Sequence, residues 1–248
     1  MKRLLDITAA LTGLILLSPI LLIVMLLIWR QDYHSPFYIA PRVGKNEKIF
    51  NMVKLRSMII GADKSGVDST SAKDPRITPI GNFVRKFKLD EFTQLWNVLT
   101  GDMSLVGPRP NVKRETDLYT DIEKQQLSVR PGITDMASIV FADENDILKD
   151  SQDPDLDYNQ LIRPWKSRLG ILYIDQRSLW LDIQLTFLTA ATIINRETAL
   201  DGVNKILVAM NAPADVIRVS RRQDKLVPSP PPGSDEVVRH RKIVSIRN

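Results

Sequence analysis

The sequence predicts an α/β protein: an apolar membrane helix at the N-terminal end, then a small, mainly helical domain carrying a short β-ribbon. Three observations predict it. Residues 7–29 contain no charge over 23 positions. Two extended runs, 36–39 and 49–54, flank a turn-like Gly44-Lys45-Asn46. Beyond them, helix-like stretches alternate with Gly- and Pro-rich stops. The 248 residues, 44% hydrophobic and 25% charged, suffice for one domain with appendages and exclude a low-complexity disordered chain. The limits read as 1–30 for the membrane helix, 31–199 for the main domain and 200–248 for a basic, proline-rich extension.

As a continuous helix the 23 uncharged residues measure about 35 Å, enough to cross a bilayer core. They are too many for the apolar part of a cleaved secretory signal. Ser18-Pro19 lies at the middle, where proline removes a backbone donor and kinks a helix. Lys2 and Arg3 precede the run, and Arg30, Arg42 and Lys45 follow it. Positive residues mark the cytoplasmic side, and here both flanks carry them. Two geometries therefore stay open: a kinked spanning helix, which the residues alone favour, and one that dips in and returns to the same face.

Residues 61–75 read as a mobile loop, 82–99 as a helix closed by Gly101-Asp102, and 112–128 as a polar surface helix ended by Arg130-Pro131-Gly132. After an acidic loop at 143–157 and a mixed stretch at 158–176, Ser178 caps an apolar helix over 179–194 whose one charge is Asp182. Such a helix is either buried or rests on lipid. The final stretch, with Pro228-Ser229-Pro230-Pro231-Pro232-Gly233, reads as a segment without a core of its own.

Composition narrows the chemistry. There are no cysteines and two histidines, which excludes thiolate metal sites, cysteine nucleophiles and a histidine-rich zinc centre. The net charge is +5, and residues 214–248 hold eight basic and four acidic side chains, or +4 of it. The rest is nearly neutral, so a nucleic-acid-coating surface is not expected. Asp90-Glu91 is the most informative pair. On an unbroken 82–99 helix Glu91 falls inside the apolar arc of Phe83, Phe87, Leu95 and Leu99. Either a cation meets it there, or the helix restarts near Leu89 and both acids sit in a first turn. Cations are plentiful around it: Lys54, Arg56, Arg85, Lys86, Lys88, Arg109 and Arg130. Arg109 stands between two prolines, which stiffens a guanidinium fork suited to phosphate. Paired acids among many cations fit magnesium-assisted phosphate chemistry better than acyl transfer, and no Gly-rich phosphate loop is present.

The ordered motifs make the resemblance specific. They are Lys2-Arg3, Asp6, Ser18-Pro19, Arg42-Val43-Gly44-Lys45, Lys54-Leu55-Arg56-Ser57-Met58 and Asp74-Pro75-Arg76-Ile77-Thr78. Leu89-Asp90-Glu91, Gln94-Leu95-Trp96-Asn97-Val98, the Gly101 to Pro110 segment, Arg130-Pro131-Gly132-Ile133-Thr134 and Asp182 continue the series. Over residues 2–195 the chain resembles the bacterial sugar transferases, monotopic phosphoglycosyl transferases of the polyprenyl-phosphate pathway. The resemblance implies a re-entrant helix broken at Ser18-Pro19, with the domain on the cytoplasmic side of the bacterial inner membrane. It implies a Mg2+-dependent reaction of a UDP-sugar with polyprenyl phosphate, the first membrane step of surface glycan assembly. Asp90 would be the nucleophile that expels UMP to form a covalent aspartyl intermediate and would share in holding the metal, and Glu91 would hold metal or position phosphate. Lys54, Arg56, Arg109 and Arg130 would bind phosphate, with Asp182 a further metal or structural acid. A second copy of the chain or downstream glycosyltransferases are further expected partners.

The sequence departs from the family pattern at Lys88 (usually a small hydroxyl residue), Thr93 (usually proline), Asp135 (usually glycine) and Ala142 (often arginine). Two other readings stay open: a non-catalytic membrane scaffold, in which the dyad only starts a helix, and a phosphohydrolase acting on a lipid diphosphate.

Overall fold

A computed structural model describes residues 1–62 and 74–239. Most of the 61–75 loop, and the last nine residues of the tail, lie outside the described residues. The chain begins with helix α1 (Lys2–Asp32). The ribbon follows, β1 (Phe37–Val43) against β2 (Ile49–Leu55), antiparallel as expected. Helices α2 (Pro79–Lys86), α3 (Leu89–Phe92) and α4 (Leu95–Thr100) replace the single helix expected over 82–99. The reason is Lys88, whose left-handed backbone (φ 53°) stops one helix and restarts the next at Leu89. Gly101, at φ 96°, then closes α4.

Strand β3 (Ser104–Val106) and helix α5 (Lys113–Thr116) lead to β4 (Gly132–Thr134), which pairs parallel with β3. The polar helix expected over 112–128 is absent. It is replaced by α5, a turn and a 3-10 segment Glu123–Ser128, because Glu115 and Glu123 turn inward to buried partners. Helices α6 (Met136–Val140), α7 (Glu144–Ile147) and α8 (Pro154–Asp157) follow. Next come α9 (Arg163–Gln176), α10 (Leu179–Ile194), α11 (Arg196–Ala209) and α12 (Ala214–Ser220). Ser178 caps α10 by accepting from the Leu181 N–H, as its position in the sequence predicts.

The main core joins Met136, Ile139 and Val140 of α6 to Leu169 and Tyr173 of α9, Leu185 of α10, and Leu200, Val203 and Leu207 of α11. The expected boundary at residue 200 therefore falls inside a core helix, and Val216 of α12 is buried as well. The proline-rich stretch lies along the surface: the Pro230 and Pro232 carbonyls accept from Arg168 and Thr120.

Helix α1 runs through Ser18-Pro19 without a gap, so the expected break is not an interruption of the helix. The Ile15 carbonyl, which an N–H at position 19 would serve, instead accepts from the Ser18 hydroxyl at 2.8 Å. Both ends of α1 are tied to the same domain. At one end Lys2 pairs with Asp182 (2.5 Å), Arg3 donates to the Val98 and Leu99 carbonyls, and buried Asp6 accepts from Ser104 and the Leu105 N–H. At the other end Arg56 forks onto Asp32 at 2.5 and 2.7 Å. A straight spanning helix would put one of these ends across the bilayer from the domain. Leu11, Leu16, Leu22, Ile23 and Leu26, meanwhile, are exposed along α1, an apolar surface suited to lipid.

Candidate active site

The ribbon supplies the first cations. Tyr38 opposes Lys54, Ala40 opposes Met52, and Arg42 opposes Phe50 across the strands, so alternation puts all six on one face. Ala40, Phe50 and Met52 pack with Leu95 and Val98 of α4. The same face carries Arg42 and Lys54 into a cavity of about 420 Å³. Helices α3 and α4 are stitched to β2 beside them. Asn97 uses its amide like a strand edge, donating to the Asn51 carbonyl at 2.8 Å and accepting from the Val53 N–H at 2.9 Å. Thr93, which departs from the family's proline, donates to the Val53 carbonyl at 3.1 Å.

This stitching, with the restart at Leu89, sets Asp90 and Glu91 in the first turn of α3 facing the cavity. Arg109 enters from the opposite side. Its segment is held where Gly107 and Gly132 meet: a Cβ on Gly132 would lie 2.1 Å from the Gly107 nitrogen, so a side chain there would push the strands apart. Arg109 donates to the Ile133 carbonyl at 3.1 Å and to Glu91 at 2.6 Å. Asp135 caps α6 by accepting from the Ser138 N–H at 2.6 Å, which gives the aspartate found in place of glycine a structural use.

The two acids are electrostatically unlike. Burial works to raise the Glu91 carboxyl, but the Arg109 guanidinium, with Lys54 and Lys88, outweighs it and holds the group at about 2. Glu91 in turn drives Arg109 upward. Burial raises Asp90 above the ordinary carboxylate range, against the pull of Lys54. Lys54 is lowered by burial and then by Arg109. Among the described residues the Asp90 carboxylate has no hydrogen-bond or ion-pair partner. One acid is thus locked as an anion against an arginine, and the other stands free among cations.

The structure brings together Asp90, Glu91, Lys54 and Arg109. It leaves out three expected site residues. Arg56 is buried and committed to Asp32 and the Ser35 carbonyl, so it anchors α1 rather than phosphate. Arg130 is exposed and donates to the Gly101 carbonyl at 2.8 Å, outside the cavity. Asp182 is buried, bonded to Lys2 and the Tyr173 hydroxyl (2.6 Å), does not line the cavity and, among the described residues, joins no metal cluster with the dyad. Asp182→Ala is expected to cost about 2 kcal/mol through loss of the charged acceptor of Lys2 and Tyr173, which keep the Val106 carbonyl, leaving turnover per folded molecule unchanged. Thermal melting beside an activity assay checks both halves.

The sequence reading missed Tyr119, Gln126, Ser138, Asn145 and Tyr158 as cavity residues. No spacing rule links them to the dyad; packing of α6 and α9 brings them in. It also missed Arg42 as a cavity residue, although strand alternation opposite Phe50 is a signal that could have found it.

Among the described residues no three carboxylate or imidazole groups form a metal cage. The free Asp90 and its neighbour offer a carboxylate pair. That fits an ion drawing its other ligands from phosphate oxygens and water, as magnesium does.

The model of the family described as bacterial sugar transferase matches residues 1–196. The chain is 35% identical over 204 residues to the galactosyl transferase CpsE of Streptococcus agalactiae, covering 78% of this chain and 42% of that protein. It is 33% identical over 217 residues to the undecaprenyl-phosphate galactose phosphotransferase of Salmonella typhimurium (80% and 41%). It is 36% identical over 197 residues to the undecaprenyl-phosphate glucose phosphotransferase of Komagataeibacter xylinus (76% and 35%). The chain spans about two-fifths of the length of these three relatives. Given the match over residues 1–196, the chain belongs to the bacterial sugar transferase family.

Proposed function

We propose that the protein transfers a sugar 1-phosphate from a UDP-sugar to a polyprenyl phosphate, releasing UMP. The observation that carries this reading is the Asp90 carboxylate, free of any described partner and set beside Lys54 and Arg109 in a 420 Å³ cavity. A carboxylate paired by no single cation keeps its lone pairs for attack. An Asp90 oxygen attacks the sugar-bound phosphorus, the phosphorus–oxygen bond to UMP breaks, and UMP leaves with that electron pair. A phosphate oxygen of the polyprenyl phosphate then attacks the same phosphorus and breaks the bond to Asp90. The products are a polyprenyl diphosphate-sugar and a regenerated carboxylate.

Lys54, Arg42 and Arg109 neutralise charge on the phosphoryl oxygens, most effectively where water is scarce. Glu91 fixes the Arg109 fork. Asp90 and Glu91 would hold magnesium together with the diphosphate, and the ion would supply further charge neutralisation there. The names of the relatives support the lipid acceptor. Basic residues at both ends of α1, both bound to one domain, support a cytoplasmic face on the inner membrane. Phe83, Trp96, Trp180 and Phe187, exposed on α2, α4 and α10, support a domain resting on lipid.

The test is UMP release by protein in nanodiscs with polyprenyl phosphate, magnesium and a panel of UDP-sugars. Release with one sugar is expected, falling below about 1% on chelation and returning with Mg2+. No release across the panel would overturn the reading.

A further inference from the structure

Residues after 196 lie beyond the matched family region, yet they reach the cavity wall. Phe141, Ala142, Glu144 and Asn145 line the cavity, and the residue among them that faces away, Asp143, is held from behind by two guanidiniums. Arg196, the first residue of α11, pairs with its Oδ1 at 2.8 Å and also donates to the Val140 carbonyl at 3.3 Å. Arg222, just past α12, donates to its Oδ2 at 3.2 Å and lies 5.4 Å from the Phe141 ring centre. Its backbone is left-handed (φ 56°), and its side chain is only 9% exposed. The support behind these arginines is rigid, since Leu200, Val203 and Val216 are buried in the main core. On the cavity side, Glu144 pairs with Lys166 of α9, so the wall is fastened on both faces.

The geometry points to Arg222 as a positioning residue of the donor cavity, acting through Asp143 to hold wall segment 141–145 in place. Its kinetic consequence rests on the transferase reading; the clamp itself does not. The wall lines the same cavity as Lys54 and the dyad and, among the described residues, makes no hydrogen bond or ion pair to them, so it bounds space open to a donor's sugar or nucleoside once its diphosphate is at Asp90. Loosening it weakens donor binding and leaves the phosphorus chemistry at Asp90 untouched. Arg222→Lys keeps the charge on Asp143 but loses the guanidinium that lies over the Phe141 ring.

The test uses the full chain in nanodiscs, comparing Arg222→Ala, Arg222→Lys and Asp143→Asn with the parent. Hydrogen exchange over 141–148 reads the clamp, and donor KM against kcat reads its consequence. Arg222→Ala is expected to quicken exchange in that segment alone and to raise donor KM about 10-fold, with kcat within about 2-fold of the parent. Arg222→Lys should recover most of the KM. Unchanged exchange, loss of protection throughout the core, or a fall in kcat at constant donor KM would each overturn the inference. Quickened local exchange in a protein whose parent releases no UMP would uphold the clamp and remove the transferase reading, so the two failures are distinguishable.

Discussion

Asp90→Asn is expected to abolish UMP release, a loss of at least about 10³-fold, without lowering the melting temperature. The substitution is nearly isosteric and removes the attacking oxygen's charge. It breaks no hydrogen bond or ion pair, because the Asp90 carboxylate has none among the described residues. Burial already works against the ionised form, so a neutral amide there relieves a desolvation cost. Glu91→Gln should behave differently. Glu91 is the anion that Arg109 grips at 2.6 Å, so its neutralisation lowers both turnover and stability. The contrast separates a nucleophile from a positioning acid. A radiolabelled sugar phosphate retained on the parent protein without acceptor, and missing from Asp90→Asn, would locate the intermediate. UMP release that persists in Asp90→Asn would show that another group attacks.

How much of this was legible depends on whether the signal was local. The ribbon, the Ser178 cap and the Gly101 stop follow from residues within a few positions of one another, and each was readable. The dyad's conflict with an unbroken helix was readable too, and its resolution at Lys88 is a backbone event that charge and hydropathy do not encode. Arg56, Arg130 and Asp182 lie apart from the cavity, and one shared reason kept the sequence from showing it. A charged residue in a motif looks the same whether it meets a phosphate or another part of its own chain. Here their partners are Asp32, the Gly101 carbonyl and Lys2, the last being 180 positions from Asp182. The tail boundary at 200 was a different error. Leu200, Val203, Ile206 and Leu207 repeat at helical spacing, and that pattern outweighs the polar, proline-rich composition that begins only after α12.

Glu123→Ala is expected to be the most destabilising single change in the domain, costing about 3–5 kcal/mol. Glu123 is fully buried and accepts from Arg163 Nε at 3.0 Å, Arg163 Nη2 at 2.5 Å, Ser167 Oγ at 2.7 Å and the Thr120 N–H at 3.0 Å. Arg163, 2% exposed, spends its remaining donors on Asn159 and the Leu118 carbonyl and stacks 5.3 Å from the Tyr119 ring centre. Truncating the acid leaves a guanidinium that is 2% exposed without its charge partner, with only Asn159 and the Leu118 carbonyl still accepting from it. A cost of that size is a large part of the ~5–15 kcal/mol that holds a domain folded, and it corresponds to a fall of roughly 6–20 °C in melting temperature. The same residues carry Tyr119, Gln126 and Ser167, which line the cavity, so donor binding should fail together with stability. The control is the double variant Glu123→Leu/Arg163→Met. It removes both charges and fills the volume, and it should recover most of the lost stability, because an apolar pair escapes the desolvation that the ion pair must offset. Melting of Glu123→Ala within about 2 °C of the parent would mean that the network tolerates an unpaired arginine, and that this part of the wall is held by packing of Leu169 and Ile162 instead.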